Sequence, residues 1–383
     1  MSVNSNKIRV AVLYGGRSGE HEVSLRSATN VIQNLDKERF EVVPIGIDKQ
    51  GVWYLGDDSV QRRLEQDGTL HLSQDQVNML FAPELLGHQV PTKSVTALNK
   101  MGRLFDVIFP VIHGPLCEDG TVQGLLELAD VPYVGSSVLA SAVGMDKDIS
   151  KRLVKSVGIH VTPYLTFNYG QWQKNAERIL NSISEKLDFP VFVKPINTGS
   201  SVGVHRVKTA EALSAAIENA FLYENKVIVE QGIEGMELEV ALLESRDYGA
   251  EPFVSVVGEV RPQNGHEFYS YAAKYMDADG AAIIIPAPIA ADIQAKIQKV
   301  AQNIFMALDC EGMARVDLFL EKGTNNIFFN EVNTIPGFTN MSMYPMMIEA
   351  SGISYKDLLS HLIDLAIDRH GRKGRLHREY VPE

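Results

Sequence analysis

The run KIRVAVLY at residues 7–14 is apolar throughout Val10–Tyr14 instead of at alternate positions, which marks a strand buried on both faces of a sheet. The turn Gly15–Gly16–Arg17–Ser18–Gly19 follows, and then the helical pattern EVSLRSATNVIQNL. Strand, glycine turn and amphipathic helix make a βα unit, so the chain must open as an α/β layer with ligands at the strand ends. The strands FEVVPIGI and FDVIFPVIHG continue the pattern. Residues up to about 135 therefore read as one doubly wound half. Residues 51–100 between these strands are polar and weakly periodic, and read as a peripheral insertion.

The full length of 383 residues exceeds one ordinary core and calls for two or three domains. A helical pattern from Asp146 to Val157 carries Lys147. After Gly158 come the strand FPVFVKP, the turn NTGSSVG and the helix TAEALSAAIENAFLY, a small α+β unit. Beyond Val227 lie the strands VIVEQ, ELEVALLE and FVSVVGEV, a Gly/Asn-rich aromatic loop, the helix AADIQAKIQKVAQNIFMAL, and the strands MARVDLFL and NIFFNEVN. This third unit is expected to be mainly antiparallel.

Composition removes several classes. A hydrophobic share of 45% and a charged share of 22% exclude disordered and fibrous chains. No apolar run approaches the roughly 18 residues of a spanning helix, and the start has no signal-peptide layout, so a cytoplasmic protein with no membrane partner is expected. Cys117 and Cys310, far apart, make neither a disulfide framework nor a thiolate metal cluster. A net charge of −12 opposes binding to nucleic acid. The basic stretch Arg369–Arg378 reads as a solvated helix end.

The densest chemistry lies in the last strand pair. Alternation puts Arg315 and Asp317 on one face, and Glu331 with Asn333 on one face of the next strand. A hairpin centred on Thr324 sets Asp317 opposite Glu331 and Arg315 opposite Asn333. Three hard oxygen donors without His or Cys suit Mg²⁺ shared with phosphate, and the arginine would face a transferring phosphoryl group. A plain surface ion pair is the bland alternative for any one of these pairs; four such groups in register favour function.

Elsewhere, Lys194 precedes Gly199–Ser200–Ser201–Val202–Gly203, a turn whose amides can approach phosphate. Neither a G-x-x-x-x-G-K-[ST] loop nor a G-x-G fingerprint occurs, so a Walker or Rossmann nucleotide site is ruled out. Glu20, His21 and Glu22 beside the first turn suit an ammonium group, or merely a helix N-terminus. His113–Gly114 and Glu118–Asp119–Gly120 belong to the same rim, where a histidine is as readily structural. The aromatic segment Glu267–Tyr275 suits a water-excluding lid through Lys274 and Tyr275, or an ordinary packed loop. Glu230 and Glu237 flank a strand end and suit ribose hydroxyls, or surface decoration.

In combination, GGRSGEHEVS, HGPLCEDGTVQG, the MDK at 145–147, KPINTGSSVG, AAKY, MARVDLFL and NEVNTIPGFTNMSMYP resemble the D-alanine–D-alanine ligases of the ATP-grasp superfamily over nearly the whole chain. The resemblance implies a three-domain ATP-grasp fold of α/β and α+β type with a Rossmann-like N-terminal domain at 1–136, a central domain at 137–232 and a C-terminal domain at 233–383. It implies ATP bound by Lys147, Lys194, Ser201, Glu230, Gln231, Ile233 and Glu237, and two Mg²⁺ ions, with Mn²⁺ able to substitute, on Asp317, Glu331 and Asn333. It further implies that the carboxylate of one D-alanine attacks the γ-phosphate and that the amine of a second displaces phosphate from the acyl phosphate. Tyr275, Ser200 and Glu20 would form a chain closing the site, Arg315 and the Gly337 amide an oxyanion hole, and Glu20 with His113 the seat of the first ammonium. Lys274 and Ser342 would hold the second carboxylate, and a homodimer is expected. Ala273 departs from the charged residue common before this Lys-Tyr, which implies altered lid packing. Tyr275 implies an amine nucleophile in preference to D-lactate; another ATP-grasp carboxylate–amine ligase, or an inactive nucleotide-binding relative, are the rival readings.

Overall fold

The opening apolar run forms β1 (Ile8–Gly15), in which Val10 to Leu13 are wholly buried. Helix α1 (His21–Asn34) carries the chain back to β2 (Phe40–Ile47), parallel to β1. The computed structural model describes residues 7–56, 68, 70, 78–81, 104–263 and 280–380. Within 51–100 it contains β3 (Trp53–Leu55) and β4 (Asn78–Phe81), which add to the β2 edge antiparallel, with Trp53 buried. The supposed peripheral insertion thus supplies two strands, each too short to show a period in sequence. With β5 (Val107–Pro110) parallel to β1 on the other side, the order is β4-β3-β2-β1-β5. Ser24 of α1 ties two strand ends together, accepting from Gly15 N at 2.7 Å and donating to the Val111 carbonyl. This serine holds the Glu20 turn against the end of β5.

Helix α2 (Thr121–Leu128) closes the first layer, and α3 (Val138–Met145) and α4 (Lys147–Ser156) follow. Asp146 caps α4 by accepting from the amides of Asp148 and Ile149, which fixes where Lys147 begins the helix. The second sheet is antiparallel in the order β6-β9-β7-β8, from β6 (Tyr164–Asn168), β7 (Val191–Pro195), β8 (His205–Val207) and β9 (Lys226–Gln231). Helices α5 (Tyr169–Lys186) and α6 (Leu213–Ala220) share its core through Trp172, Ile183 and Ile217. No counterpart to β6 or α5 was expected from sequence, although Asn168 and Gln171 form a capping box that announces the helix.

The third sheet is wholly antiparallel, as expected, in the order β12-β11-β10-β13-β14, but VIVEQ, expected among its strands, is β9 of the second sheet, where it pairs with β6 and β7. Its strands are β10 (Gly235–Leu243), β11 (Phe253–Pro262), β12 (Ala281–Ile284), β13 (Met313–Glu321) and β14 (Ile327–Asn333). Helix α7 (Ala291–Ala307) covers one face, where Ile297, Ile304 and Phe305 meet Leu238, Val316 and Phe329. Val154 of α4 joins the same core, so α4 packs on β14 while its charged side turns toward the second sheet. Helices α8 (Met343–Ala350) and α9 (Tyr355–Lys373) cover the other face. One apolar cluster there runs from Val10 and Val12 of β1 through Phe338 and Tyr344 to Leu358 and Leu362. Each such buried aliphatic side chain contributes about 1.5–3 kcal/mol, so the first and third sheets are firmly joined. No helix among the described residues is long and apolar enough to cross a membrane.

Candidate active site

Neighbouring strands of the third sheet place the charged residues of the site in two rungs. Glu239, Asp317 and Glu331 pair side by side across β10, β13 and β14, and Ala241, Arg315 and Asn333 form the rung beside them. The hairpin register expected from sequence is the one observed. Arg315 grips Asp317 with two hydrogen bonds, Nε to Oδ1 at 2.8 Å and a terminal nitrogen to Oδ2 at 2.7 Å. Asn333 Nδ2 donates to the same Oδ2 at 3.0 Å. Arg315 Nε also lies 2.9 Å from Glu239 Oε2. Burial works against the guanidinium charge, but Asp317 and Glu239 outweigh it and raise its pKa further. Glu239 escaped the sequence reading, although strand alternation sets it on the same face as Glu237.

A β-bulge interrupts the pairing immediately after Asp317 and Glu331. Asp317 faces Glu331, yet Leu318 faces Phe329, so Asn330 is the extra residue. Phe329 and Leu318 then both enter the core, and Asn330 turns its amide oxygen to within 3.4 Å of Lys194 Nζ. Strict alternation would put Asn330 on the face opposite Glu331.

Around this bulge a buried ionic cluster joins α4, β7, β9 and β14. Lys194 Nζ meets Glu230 Oε2 at 2.5 Å, and Lys151 Nζ meets Oε1 of the same carboxylate at 2.9 Å. Burial pushes Glu230 upward, yet the two ammonium groups overcome it and leave its pKa at about 2. Burial lowers Lys151, whereas Lys194 is raised because Glu230 and Glu331 more than offset its desolvation. Lys147 Nζ donates to the Thr198 carbonyl at 2.8 Å and lies 3.3 Å from Glu331 Oε2. Lys147, Lys194 and Glu230 were expected from sequence; Lys151, four residues along α4 from Lys147, was not. The i, i+4 spacing on one helix face was its only signal.

The Glu20 turn reaches this region from the first sheet. Ser200 Oγ donates to Glu20 Oε1, a bond between residues on different layers. Gly114 and Gly199 close on the same carboxylate: a Cβ at either would stand 3.0 or 2.9 Å from Glu20 Oε2, respectively. His113, buried, has Nδ1 3.4 Å from Glu118 Oε1 and Nε2 3.4 Å from Ser27 Oγ. Desolvation lowers its pKa, but Glu118 and Glu20 reverse the direction and raise it. Glu118 is raised by burial, with His113 opposing. The turn after β14 is braced by the same helix, Phe338 N donating to Ser27 Oγ at 3.3 Å. Gly337 sits close under Ser342, whose Oγ accepts from Thr339 N at 2.9 Å.

Among the other expected residues, Ser201 lies in the β7–β8 turn with a left-handed φ of 58° beside Ser200 at 51°. Glu237 is half-buried near the start of β10. Gln231 turns its side chain away, its Oε1 accepting from Asp188 N at 3.1 Å, and Ile233 lies half-buried in the link from β9 to β10. Lys274 and Tyr275 lie outside the described residues, as does Ala273. One cleft brings three of the expected residues, Lys147, Glu331 and Asn333, together with Glu118, Gly144, Met145, Thr198, Gly199, Val332 and Thr334. Among the described residues no three His, Cys, Asp or Glu side chains converge into a ready metal cage. Carboxylates beside an amide oxygen are instead the donors on which Mg²⁺ is shared with phosphate oxygens, while the lysines offer their charge to the phosphate itself.

Comparison with known proteins agrees with this geometry. The family model described as "D-ala D-ala ligase N-terminus" matches residues 9–136, and "D-ala D-ala ligase C-terminus" matches residues 153–364. The D-alanine--D-alanine ligase A of Bradyrhizobium diazoefficiens is 52% identical over 381 residues, covering 98% of this chain and 100% of the relative. The D-alanine--D-alanine ligase of Shouchella clausii is 46% identical, covering 97% of each. Among solved structures, the VanG D-Ala:D-Ser ligase of Enterococcus faecalis superposes with a TM-score of 0.79 at 35% identity, covering 94% of this chain and 99% of that one. The D-alanine-D-alanine ligase of Coxiella burnetii gives 0.75 at 33%, covering 97% of each. Fold and cleft together define an ATP-grasp ligase. Within that class, the chain belongs to the D-alanine–D-alanine ligase family.

Proposed function

We propose that the chain joins two D-alanines through a D-alanyl phosphate, supplying the dipeptide for peptidoglycan precursors. Family membership implies ATP as the phosphoryl donor. In this reading the carboxylate of the first D-alanine attacks the γ-phosphorus, and the bond from phosphorus to the bridging oxygen of ADP breaks. The amine of the second D-alanine then attacks the acyl carbon; the C–N bond forms, the C–O bond to phosphate breaks, and the amine proton is lost. Products are D-alanyl-D-alanine, ADP and phosphate.

The observation that carries this reading is the convergence of the Arg315–Asp317–Glu331–Asn333 register, of Lys147 facing Glu331 across one cleft, and of Glu20, held by Ser200 and close against the Gly199 that lines that cleft. Arg315, kept protonated by its two carboxylates, stabilises the transferring phosphoryl group and later the tetrahedral oxyanion, together with the Gly337 amide. Glu20 receives the first ammonium, and His113 stiffens that rim through Glu118 and Ser27. Lys147 and Lys194 hold phosphates, Ser201 supplies a further donor, the 230–233 segment frames the base, and Glu237 holds ribose. Ser342 and Lys274 take the second carboxylate, and Tyr275 closes the lid over Ser200, a water-excluding task because an acyl phosphate hydrolyses. Two Mg²⁺ ions, replaceable by Mn²⁺, on Asp317, Glu331 and Asn333 would neutralise phosphate charge. Domains at 1–136, 137–232 and 233–383, a homodimer and a cytoplasmic setting complete the proposal.

The test is coupled ADP release with ATP, Mg²⁺ and a panel of D-alanine, L-alanine, D-serine and D-lactate. D-alanine alone should support turnover that Mg²⁺ omission abolishes; a rate equal to the blank with D-alanine rejects the proposal. D-serine belongs in the panel because the solved D-Ala:D-Ser ligase is structurally similar.

A further inference from the structure

Three lysines serve the ionic side of the cleft, and the reading above uses two of them. The third, Lys151, has no exposed surface. Its Nζ donates to the carbonyls of Asn330 at 2.8 Å and Phe329 at 3.2 Å, and lies 2.9 Å from Glu230 Oε1. Lys194 occupies Oε2 of that same carboxylate at 2.5 Å. One buried anion is thus shared by two cations from different elements, and the two are differently anchored. Lys151 is fixed by α4 and by carbonyls of β14, so moving it would strand an ammonium group in the interior. Lys194 stands at the end of β7 with the Asn330 amide oxygen at 3.4 Å, a weak hydrogen bond. It is the one able to turn toward a phosphate.

We propose that Lys151 is the resident counter-ion of Glu230, a positioning residue that leaves Lys194 free to take nucleotide phosphate. When Lys194 swings to the anion, Glu230 would otherwise be a buried carboxylate without a cation, and that cost would be charged against binding. With Lys151 in place Glu230 stays neutralised throughout. Without it, Lys194 is the sole partner of Glu230, and phosphate must compete with a carboxylate already at 2.5 Å. The inference rests on the nucleotide reading of the cleft.

Two variants of the full chain test it, Lys151→Met and Lys151→Met/Glu230→Gln, with ADP and adenosine as the probes. In Lys151→Met, ADP affinity by calorimetry should fall at least tenfold, while inhibition by adenosine, which carries no phosphate, stays within threefold and the KM for D-alanine within twofold. In the double variant the carboxylate that traps Lys194 is neutral, so the ratio of ADP to adenosine affinity, in which any change in the contact of residue 230 with the base cancels, should return to within threefold of the parent's. The single variant keeps the Lys194–Glu230 pair, and in the double variant Lys194 keeps Glu331 as its neighbouring carboxylate, so whichever of the two folds carries the comparison. Unchanged ADP affinity in the folded single variant overturns the proposal. So does equal weakening of ADP and adenosine in the single variant, which would show general loss of structure, or a double variant whose ratio of ADP to adenosine affinity stays as low as that of the single one. A parent protein that binds ADP but shows no turnover with D-alanine would instead reject the proposed reaction, and the ADP series would still decide the role of Lys151.

Discussion

Glu331 and Ser200 show how differently single residues carry the site. Glu331 is paired across the ladder with Asp317 and lies 3.3 Å from Lys147, so it links the metal-binding candidates to a phosphate-binding candidate. Glu331→Ala should reduce Mg²⁺-dependent ADP release by at least about a hundredfold, the scale of losing one electrostatic element of a transition-state cradle. Activity within threefold of the parent under saturating Mg²⁺ would reject that role. Ser200 acts by orientation, holding the Glu20 carboxylate across the layers. A hydrogen bond to a charged group contributes about 1.5–3 kcal/mol, so Ser200→Ala should raise the KM for D-alanine about tenfold or more. The KM for ATP should move far less, and equal changes in both would argue for collapse of the whole turn.

At the level of elements, much of this architecture was legible because long apolar runs and hairpin arithmetic are robust signals. β1, α1, β13 and β14 follow from periodicity, and the pairing of Arg315 with Asn333 follows from symmetry about Thr324. What escaped was short, crossed the chain, or broke alternation. β3 and β4 are too brief to have a period; Lys151 and Glu239 matter through partners distant in sequence; Asn330 reaches Lys194 only because of a bulge. The basic stretch at the end of α9 is solvated from Gly374 to Arg378, as expected, and departs from that expectation at Arg369, again through partners distant in sequence. Arg369 is buried and donates to the carbonyls of Gly135 at 2.6 Å and Tyr133 at 2.7 Å, fastening α9 to the first layer. Arg369→Met leaves those carbonyls unsatisfied and should cost about 2–4 kcal/mol in urea unfolding. A midpoint equal to that of the parent would show that this fastening is dispensable. The contact between α4 and β9 has its own pH signature. Glu230 is held below its ordinary 4.5, at about 2, so its ionised form favours the folded state. That contribution is complete above pH 4.5 and is lost as pH falls toward about 2. Unfolding free energy measured across this window should decline less steeply in Glu230→Gln than in the parent, and parallel curves would contradict the assignment.

For the whole molecule, the cleft is assembled from parts of all three sheets, so whatever fills it should hold them together. Ligand that binds only the folded chain adds about 2.7 kcal/mol at a hundredfold excess over its Kd. ADP with Mg²⁺ and D-alanine should therefore raise the midpoint of thermal unfolding, and both together should raise it more than either alone. No shift with the nucleotide would mean that the cleft is not its site.

The bulge between Asp317 and Leu318 has a consequence for finding such cradles in unfamiliar chains. A regular strand turns only every second side chain to one face, but FNEVN sets Asn330 against Lys194 and Glu331 and Asn333 in the rungs of Asp317 and Arg315, while Phe329 and Val332 join the core. The searchable fingerprint is thus a broken rhythm, two adjacent polar letters between apolar ones. A filter demanding strict alternation would discard the very segment it was meant to retrieve.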